Sequence, residues 1–109
     1  MQEGIYGQIY AIVSQVPRGK VTTYGDVAWR LGKPGLARVV GNALHCNPDP
    51  EHIPCHRVVN RLGEVSKAFA FGGENRQIQL LEAEGVEFVD GKVDLERFQW
   101  KKVTPEMME

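Results

Sequence analysis

Apolar residues in the first part of the chain recur at helical spacing. Ile5, Ile9, Ile12 and Val16 fall on one stripe that Tyr6, Tyr10 and Val13 widen, so residues 5–16 read as an amphipathic helix. Pro17-Arg18-Gly19 ends it, and Lys20-Val21-Thr22-Thr23 is a short extended segment. Thr23 with Asp26 three residues on has the form of a capping box, Asp standing for the usual Glu or Gln, which starts a second helix at Tyr24. That helix turns Val27, Ala28 and Leu31 inward and stops at Gly32. Lys33-Pro34-Gly35 makes a tight turn, and a third helix over residues 36–44 buries Val39, Val40 and Ala43. Two short helices joined in this way have the outline of a helix-turn-helix, an outline shared by helices that merely pack together.

Beyond residue 46 the pattern changes. Asn47-Pro48-Asp49-Pro50 is a stiff loop, because each proline fixes its own φ and restricts the residue before it. Over residues 53–60 the β-branched pair Val58-Val59 predicts a short strand, which Leu62-Gly63 turns towards Glu64-Val65. A loop over residues 69–73 leads to a fourth helix at residues 74–84, with Ile78, Leu80 and Leu81 inward and Gly85 as its stop. Asp90-Gly91 between apolar neighbours signals a hairpin within residues 86–95, Arg97-Phe98-Gln99-Trp100 closes the domain, and residues 104–109 are expected to fray. The fold class is therefore a single domain over residues 1–103, mainly α with short hairpins and resembling a winged helix-turn-helix.

Composition agrees with one core: the chain has 109 residues, 42% hydrophobic and 25% charged, values that exclude disordered, collagenous and disulfide-framework classes. No run reaches the roughly 20 apolar residues of a spanning helix, and Met1-Gln2-Glu3-Gly4 lacks the basic-then-apolar order of a signal peptide. A cytoplasmic protein with no membrane partner is expected. A net charge of −1 argues at first against nucleic acid, yet residues 18–76 carry nine basic side chains against five acidic ones, and the acid follows later. Such a split permits a basic face on a nearly neutral molecule. Cys46 and Cys55, nine positions apart with no export signal, are expected to be free thiols.

His45, Cys46, His52, Cys55 and His56 crowd one segment, and two chemistries compete for them. Zinc would need four ligands aimed at one point, and neither His45-Cys46 nor Cys55-His56 has the spacing that lets both members reach one ion. The alternative is a nucleophile: a thiol whose proton passes to an imidazole, with a carboxylate from further along the chain orienting the ring. Neighbours in a strand point to opposite faces, so Cys55 and His56 require an irregular turn or a bridging water, and Pro54 makes a turn reasonable.

The run Ile53-Pro54-Cys55-His56-Arg57-Val58-Val59 resembles the active-site signature of the O6-alkylguanine-DNA alkyltransferases (methylated-DNA-protein-cysteine methyltransferases). The resemblance extends back through Asn47-Pro48 and Leu36-Ala37-Arg38-Val39-Val40-Gly41 to Val21-Thr22-Thr23-Tyr24-Gly25. Forward it takes in Gly72-Gly73 and Leu80-Leu81-Glu82-Ala83-Glu84-Gly85. It corresponds to the C-terminal, DNA-binding domain of that family. It implies a protein that flips O6-alkylguanine out of duplex DNA and transfers the alkyl group irreversibly to Cys55, with no cofactor and no metal. His56 would be the base acting through a water, Glu84 the carboxylate behind it, Asn47 the brace of the turn, and Tyr24 a stabiliser of the departing guanine. Arg38 would fill the vacated stack, with Tyr24, Ala37, Thr23 and Gly41 also at the DNA. Tyr24, Pro54, Cys55, Val58, Phe71 and Gly72 would form the base pocket, with backbone carbonyls near Cys55 and Val58 reading the guanine amino group. The partner implied is double-stranded DNA carrying O6-alkylguanine; one small domain with an asymmetric DNA face needs no second copy, so a monomer is expected.

The sequence also departs from the typical family pattern. The segment between the active-site strand and Gly72-Gly73 is about two residues longer than usual, Lys67-Ala68-Phe69-Ala70-Phe71 lacks the customary tyrosine, and Gln77 stands where many members carry lysine. Val65-Ser66-Lys67, Gly73-Glu74-Asn75-Arg76-Gln77, Glu82-Ala83-Glu84-Gly85-Val86-Glu87 and Trp100-Lys101 resemble the alkyltransferase-like proteins. Those bind alkylated DNA without transfer and mark it for nucleotide excision repair, usually with tryptophan or alanine in place of the cysteine that this chain keeps. Transfer and lesion marking are therefore the two functions the resemblance leaves open.

Overall fold

The computed structural model describes residues 4–67, 69 and 71–101; the expected frayed end at residues 104–109 lies outside them. Helix α1 (Ile5–Val13) stops three residues short of the expected end. Gln15 and Val16 donate instead to Ile12 and Val13, a tightened last turn, because the residue before Pro17 avoids the α conformation. Val16 is nevertheless buried, whereas Tyr6 points to solvent and takes no part in the stripe.

Strand β1 (Thr22–Thr23) leads directly into helix α2 (Tyr24–Arg30). Thr23 Oγ1 accepts from the Asp26 amide at 3.1 Å, one half of the capping box. The Asp26 carboxylate turns elsewhere and accepts from Thr22 Oγ1 and Arg30 Nε, both at 2.8 Å. Gly32 at φ +79 ends α2, with Lys33 donating to Ala28 and Gly32 to Trp29, the paired bonds of a Schellman motif. A 3-10 turn at Pro34–Leu36 then delivers helix α3 (Ala37–His45). The three helices enclose Ile9, Val13, Val27, Ala28, Val40 and Ala43, with Val39 only half-buried at the edge of this cluster. The Tyr10 hydroxyl fastens α1 to α3 by donating to the Ala43 carbonyl at 2.7 Å.

The strand expected over residues 53–60 shrinks to β2 (Val58–Val59), preceded by a 3-10 turn at Cys55–Arg57. Strand β2 runs parallel to β1, Thr22 opposite Val58 and Thr23 opposite Val59. Because successive side chains alternate across a strand, Val58 joins the helical cluster while Val59 joins a second one with Val21, Leu81, Val86 and Val93. Helix α4 (Gly73–Ala83) supplies Leu81 to that second cluster. Strands β3 (Phe88–Val89) and β4 (Lys92–Val93) form the single hairpin among the described residues, around Asp90 and Gly91, both at positive φ. The other strand pair is parallel, so the expected plural hairpins reduce to one. Gly63 packs on this hairpin so closely that a Cβ would lie 2.5 Å from the Val93 carbonyl oxygen. Helix α5 (Leu95–Phe98) follows, the Trp100 amide donates to Val21, and the Arg30 guanidinium lies 3.9 Å from the centre of the Trp100 ring. Among the described residues no helix is long and apolar enough to cross a membrane.

Candidate functional site

Cys55 opens the 3-10 turn rather than sitting in a strand. A 3-10 turn rotates successive residues by a third of a circle, so Cys55 and His56 are not on opposite faces as strand neighbours would be. Asn47 holds the loop beneath: its Nδ2 donates to the Ile53 carbonyl at 2.8 Å, and its Oδ1 accepts from the Asp49 amide at 2.8 Å. The Cys55 amide closes on Ile53 and that of Arg57 on Pro54. Burial pushes the Cys55 thiol above its ordinary value, against a hydrogen bond from the Asn47 side chain. At neutral pH the sulfur is a thiol that needs a base.

Behind the turn stands a polar relay. His56 Nε2 lies 2.9 Å from Glu84 Oε2, and Arg57 grips the same carboxylate as a fork, Nε to Oε1 at 2.9 Å and Nη2 to Oε2 at 2.8 Å. Arg57 Nη1 donates to the Val16 carbonyl at 2.8 Å, and Arg18 reaches the Ala83 carbonyl at 3.1 Å. Burial alone would raise the Glu84 carboxyl, but the bonds from Arg57 and His56 prevail and lower it to about 2. Burial lowers His56, with Glu84 opposing. An imidazole that is neutral and donates from Nε2 to a carboxylate keeps its lone pair on Nδ1, the condition for a general base. Glu84 is not inside α4, as expected, but caps it. Gly85 at φ +90 and the Val86-to-Leu81 bond form a second Schellman motif that turns the carboxylate to the relay.

Two cavities meet at Cys55 and Phe69. One, of about 260 Å³, is walled by Tyr24, Gly41, His45, Cys55, Ser66 and Gln77 among others. The other, of about 270 Å³, is reached by Cys55, His56, Phe71, Arg76 and Leu80 among others. Burial raises the Tyr24 phenol, against a hydrogen bond with the Ser66 side chain, so Tyr24 remains a neutral hydroxyl in the first cavity. A Cβ on Gly41 would sit 4.0 Å from the Tyr24 ring, an ordinary van der Waals distance, so α3 passes close beside the ring without crowding it. Arg38 is exposed in the first turn of α3 and makes no ion pair among the described residues.

Of the expected pocket residues, Tyr24 and Cys55 share the first cavity and Phe71 lines the second. Pro54, Val58 and Gly72 line neither: Pro54 and Val58 are buried beneath the turn, and Gly72 is the exposed residue preceding α4. The Val58 carbonyl, expected to face a base, already accepts from Gln77 Nε2 at 3.0 Å. Thr23, expected at the DNA, is 8% exposed and spends its hydroxyl on the α2 cap, while Ala37 is half-buried at the start of α3. His52 bonds Asp49 at 2.9 Å, and among the described residues no three His, Cys, Asp or Glu side chains group to hold an ion.

Sequence reasoning assigned no role to two residues of the site. Arg57 passed as one letter of a motif, although its fork sets the charge of Glu84. Gln77 is 1% exposed on the inner face of α4, where Ile78 and Leu80 were expected and are only half-buried. The signal was its position four residues before Leu81, the spacing of a shared helical face.

Three comparisons place this geometry among known proteins. The model of "6-O-methylguanine DNA methyltransferase, DNA binding domain" matches residues 5–86. Alkyltransferase-like protein 1 of Schizosaccharomyces pombe is 42% identical over 102 residues, covering 88% of this chain and 94% of that protein. A DNA base-flipping protein of Vibrio parahaemolyticus is 44% identical over 96 residues, covering 86% and 93%. The crystal structure of S. pombe Atl1 in complex with damaged DNA containing O6-carboxymethylguanine superposes with a TM-score of 0.77 at 42% identity, over 88% of this chain and 94% of that one.

Proposed function

The chain belongs to the family of the 6-O-methylguanine DNA methyltransferase DNA-binding domain, and from that premise we propose that it flips O6-alkylguanine out of duplex DNA and takes the alkyl group onto Cys55. The observation that carries the reading is Cys55 itself, at the meeting of two cavities, with Tyr24 across one and His56, backed by Glu84, on the other. The flipped base occupies the Tyr24 cavity, and exposed Arg38 on α3 enters the stack it leaves. A water in the second cavity passes the thiol proton to His56 Nδ1. The thiolate attacks the alkyl carbon, the S–C bond forms, the C–O6 bond breaks, and its electron pair stays on the guanine, with Tyr24 as hydrogen-bond donor. The resulting thioether has no leaving group, so each molecule acts once. The substrate carries the transferred group, and the step calls for no cofactor.

A second reading has its own support. The two relatives described above are named alkyltransferase-like and base-flipping, and the thiol is raised rather than lowered by its surroundings. In that reading the protein holds the flipped lesion without transfer and presents it to nucleotide excision repair. Intact-mass spectrometry after incubation with an O6-methylguanine duplex separates the two. A gain of one methyl that disappears in Cys55→Ala supports transfer; tight lesion binding at unchanged mass supports marking.

A further inference from the structure

Gln77, 1% exposed, is a buried polar side chain beside the reactive turn that the proposed chemistry does not use. Its Nε2 has two hydrogens and spends both, on the His56 carbonyl and the Val58 carbonyl, each at 3.0 Å. Its Oε1 accepts from the Ser66 amide at 2.9 Å. The two carbonyls flank Arg57, so one amide pins the passage from the 3-10 turn into β2. On the far side Ser66 passes the restraint on, because it lines the same cavity as Tyr24 and its side chain lowers the phenol against the effect of burial. Gln77, Ser66, Tyr24 and Cys55 all line the same cavity.

We infer that Gln77 is a positioning residue that clasps the Cys55 turn to the Ser66 segment and so fixes the distance between the thiol and the Tyr24 phenol across the base cavity. This rests on the reading that the cavity receives a flipped base. Only an amide does the whole task here. A lysine, which many alkyltransferases carry at this position by sequence resemblance, can donate to the two carbonyls but cannot accept from Ser66. A glutamate can accept from Ser66 but turns an acceptor towards two acceptors. The two halves of the clasp can therefore be broken separately.

The test uses the full chain in a Cys46→Ser background, since Cys46 is an exposed second thiol. Two quantities are read: the ratio of affinities for O6-methylguanine and unmodified duplexes, and the rate at which iodoacetamide labels Cys55 as a function of pH. Gln77→Lys is expected to lower the affinity ratio about fivefold, the loss of roughly one hydrogen bond, while the labelling curve stays in place. Gln77→Glu is expected to move the labelling curve, with Cys55 reacting about fivefold faster at neutral pH as the turn loosens. Ser66→Ala, which keeps the backbone amide that Gln77 accepts from and removes the hydroxyl beside Tyr24, is expected to follow Gln77→Lys and keeps the test open if a Gln77 variant fails to fold. Parallel changes in both quantities for all three variants, or no change in any, would overturn the clasp. A parent protein with no preference for O6-methylguanine would overturn the functional reading alone, and the clasp would then be decided by whether the labelling curves of Gln77→Glu and Gln77→Lys differ.

Discussion

The helical half of the molecule and the reactive turn are held by opposite means. Around Ile9, Val27, Val40 and Ala43 the chain closes on apolar surface, and each helix begins or ends at a local signal such as Thr23 or Gly32. Cys55 and Val58 join the same apolar cluster, but burial alone does not shape the turn between them. Its shape is set by directed hydrogen bonds, from Arg57 within the turn and from Asn47, Gln77 and Glu84 elsewhere in the chain. Apolar packing tolerates small shifts because it has no direction. A relay that must keep His56 neutral and its Nδ1 free does not. The helical half supplies a platform, and the polar half supplies geometry.

Removing Glu84 breaks this contrast most severely. Glu84→Ala leaves the Arg57 guanidinium buried without its carboxylate and is expected to cost about 4 kcal/mol in chemical denaturation, together with any transfer to Cys55. Acid reaches the same weakness without mutation. The Glu84 carboxyl is held at about 2 in the fold against 4.5 ordinarily, so the folded state binds fewer protons than the unfolded one between these values. Its contribution of ~3 kcal/mol is present above pH 4.5 and is lost as pH falls towards 2. His56, also lowered, acts in the same direction from its ordinary value downward. Unfolding midpoints measured from pH 6 to 2 should fall steeply for the parent protein and much less for Glu84→Gln.

On the apolar side, Val40→Ala should cost about 2 kcal/mol through the cavity it leaves and should not move the pH profile of Cys55 labelling. A shift in that profile would show the two regions to be coupled. Arg38→Ala has the smallest expected effect on stability, within about 0.5 kcal/mol for an exposed position. Its affinity for an O6-methylguanine duplex should nevertheless drop about tenfold, since an inserted side chain stabilises the flipped state. Unchanged affinity in a fluorescence titration would remove Arg38 from the flipping step.

The same division governs what was legible in the sequence. Helices α2 and α3 were readable to within a residue, because Thr23, Gly32 and Pro34 act on their immediate neighbours. So was the hairpin at Asp90-Gly91. The reactive segment read as a strand, since Val58-Val59 has the composition of one, whereas the turn before it is made by bonds from Asn47 and Gln77 that no local pattern records. The motif named Cys55 and His56, and resemblance added Glu84, Tyr24 and Arg38. It could not show that Gln77 occupies the Val58 carbonyl, because a buried amide and a surface one look alike in a sequence.

The parallel pairing of Thr22 with Val58 sets the order in which the protein can come into being. A parallel pair needs a long crossover, here all of α2 and α3, and the relay then waits for Glu84, which caps the last turn of α4. The contacts that Gln77 and Glu84 make with the turn are distant along the chain, the slow class of contact in folding. On a ribosome, a chain that has just delivered Cys55 has neither its carboxylate nor its clasp. Its sulfur spends that interval as an ordinary thiol, and the specialised one arises only when the second half of the domain closes over it.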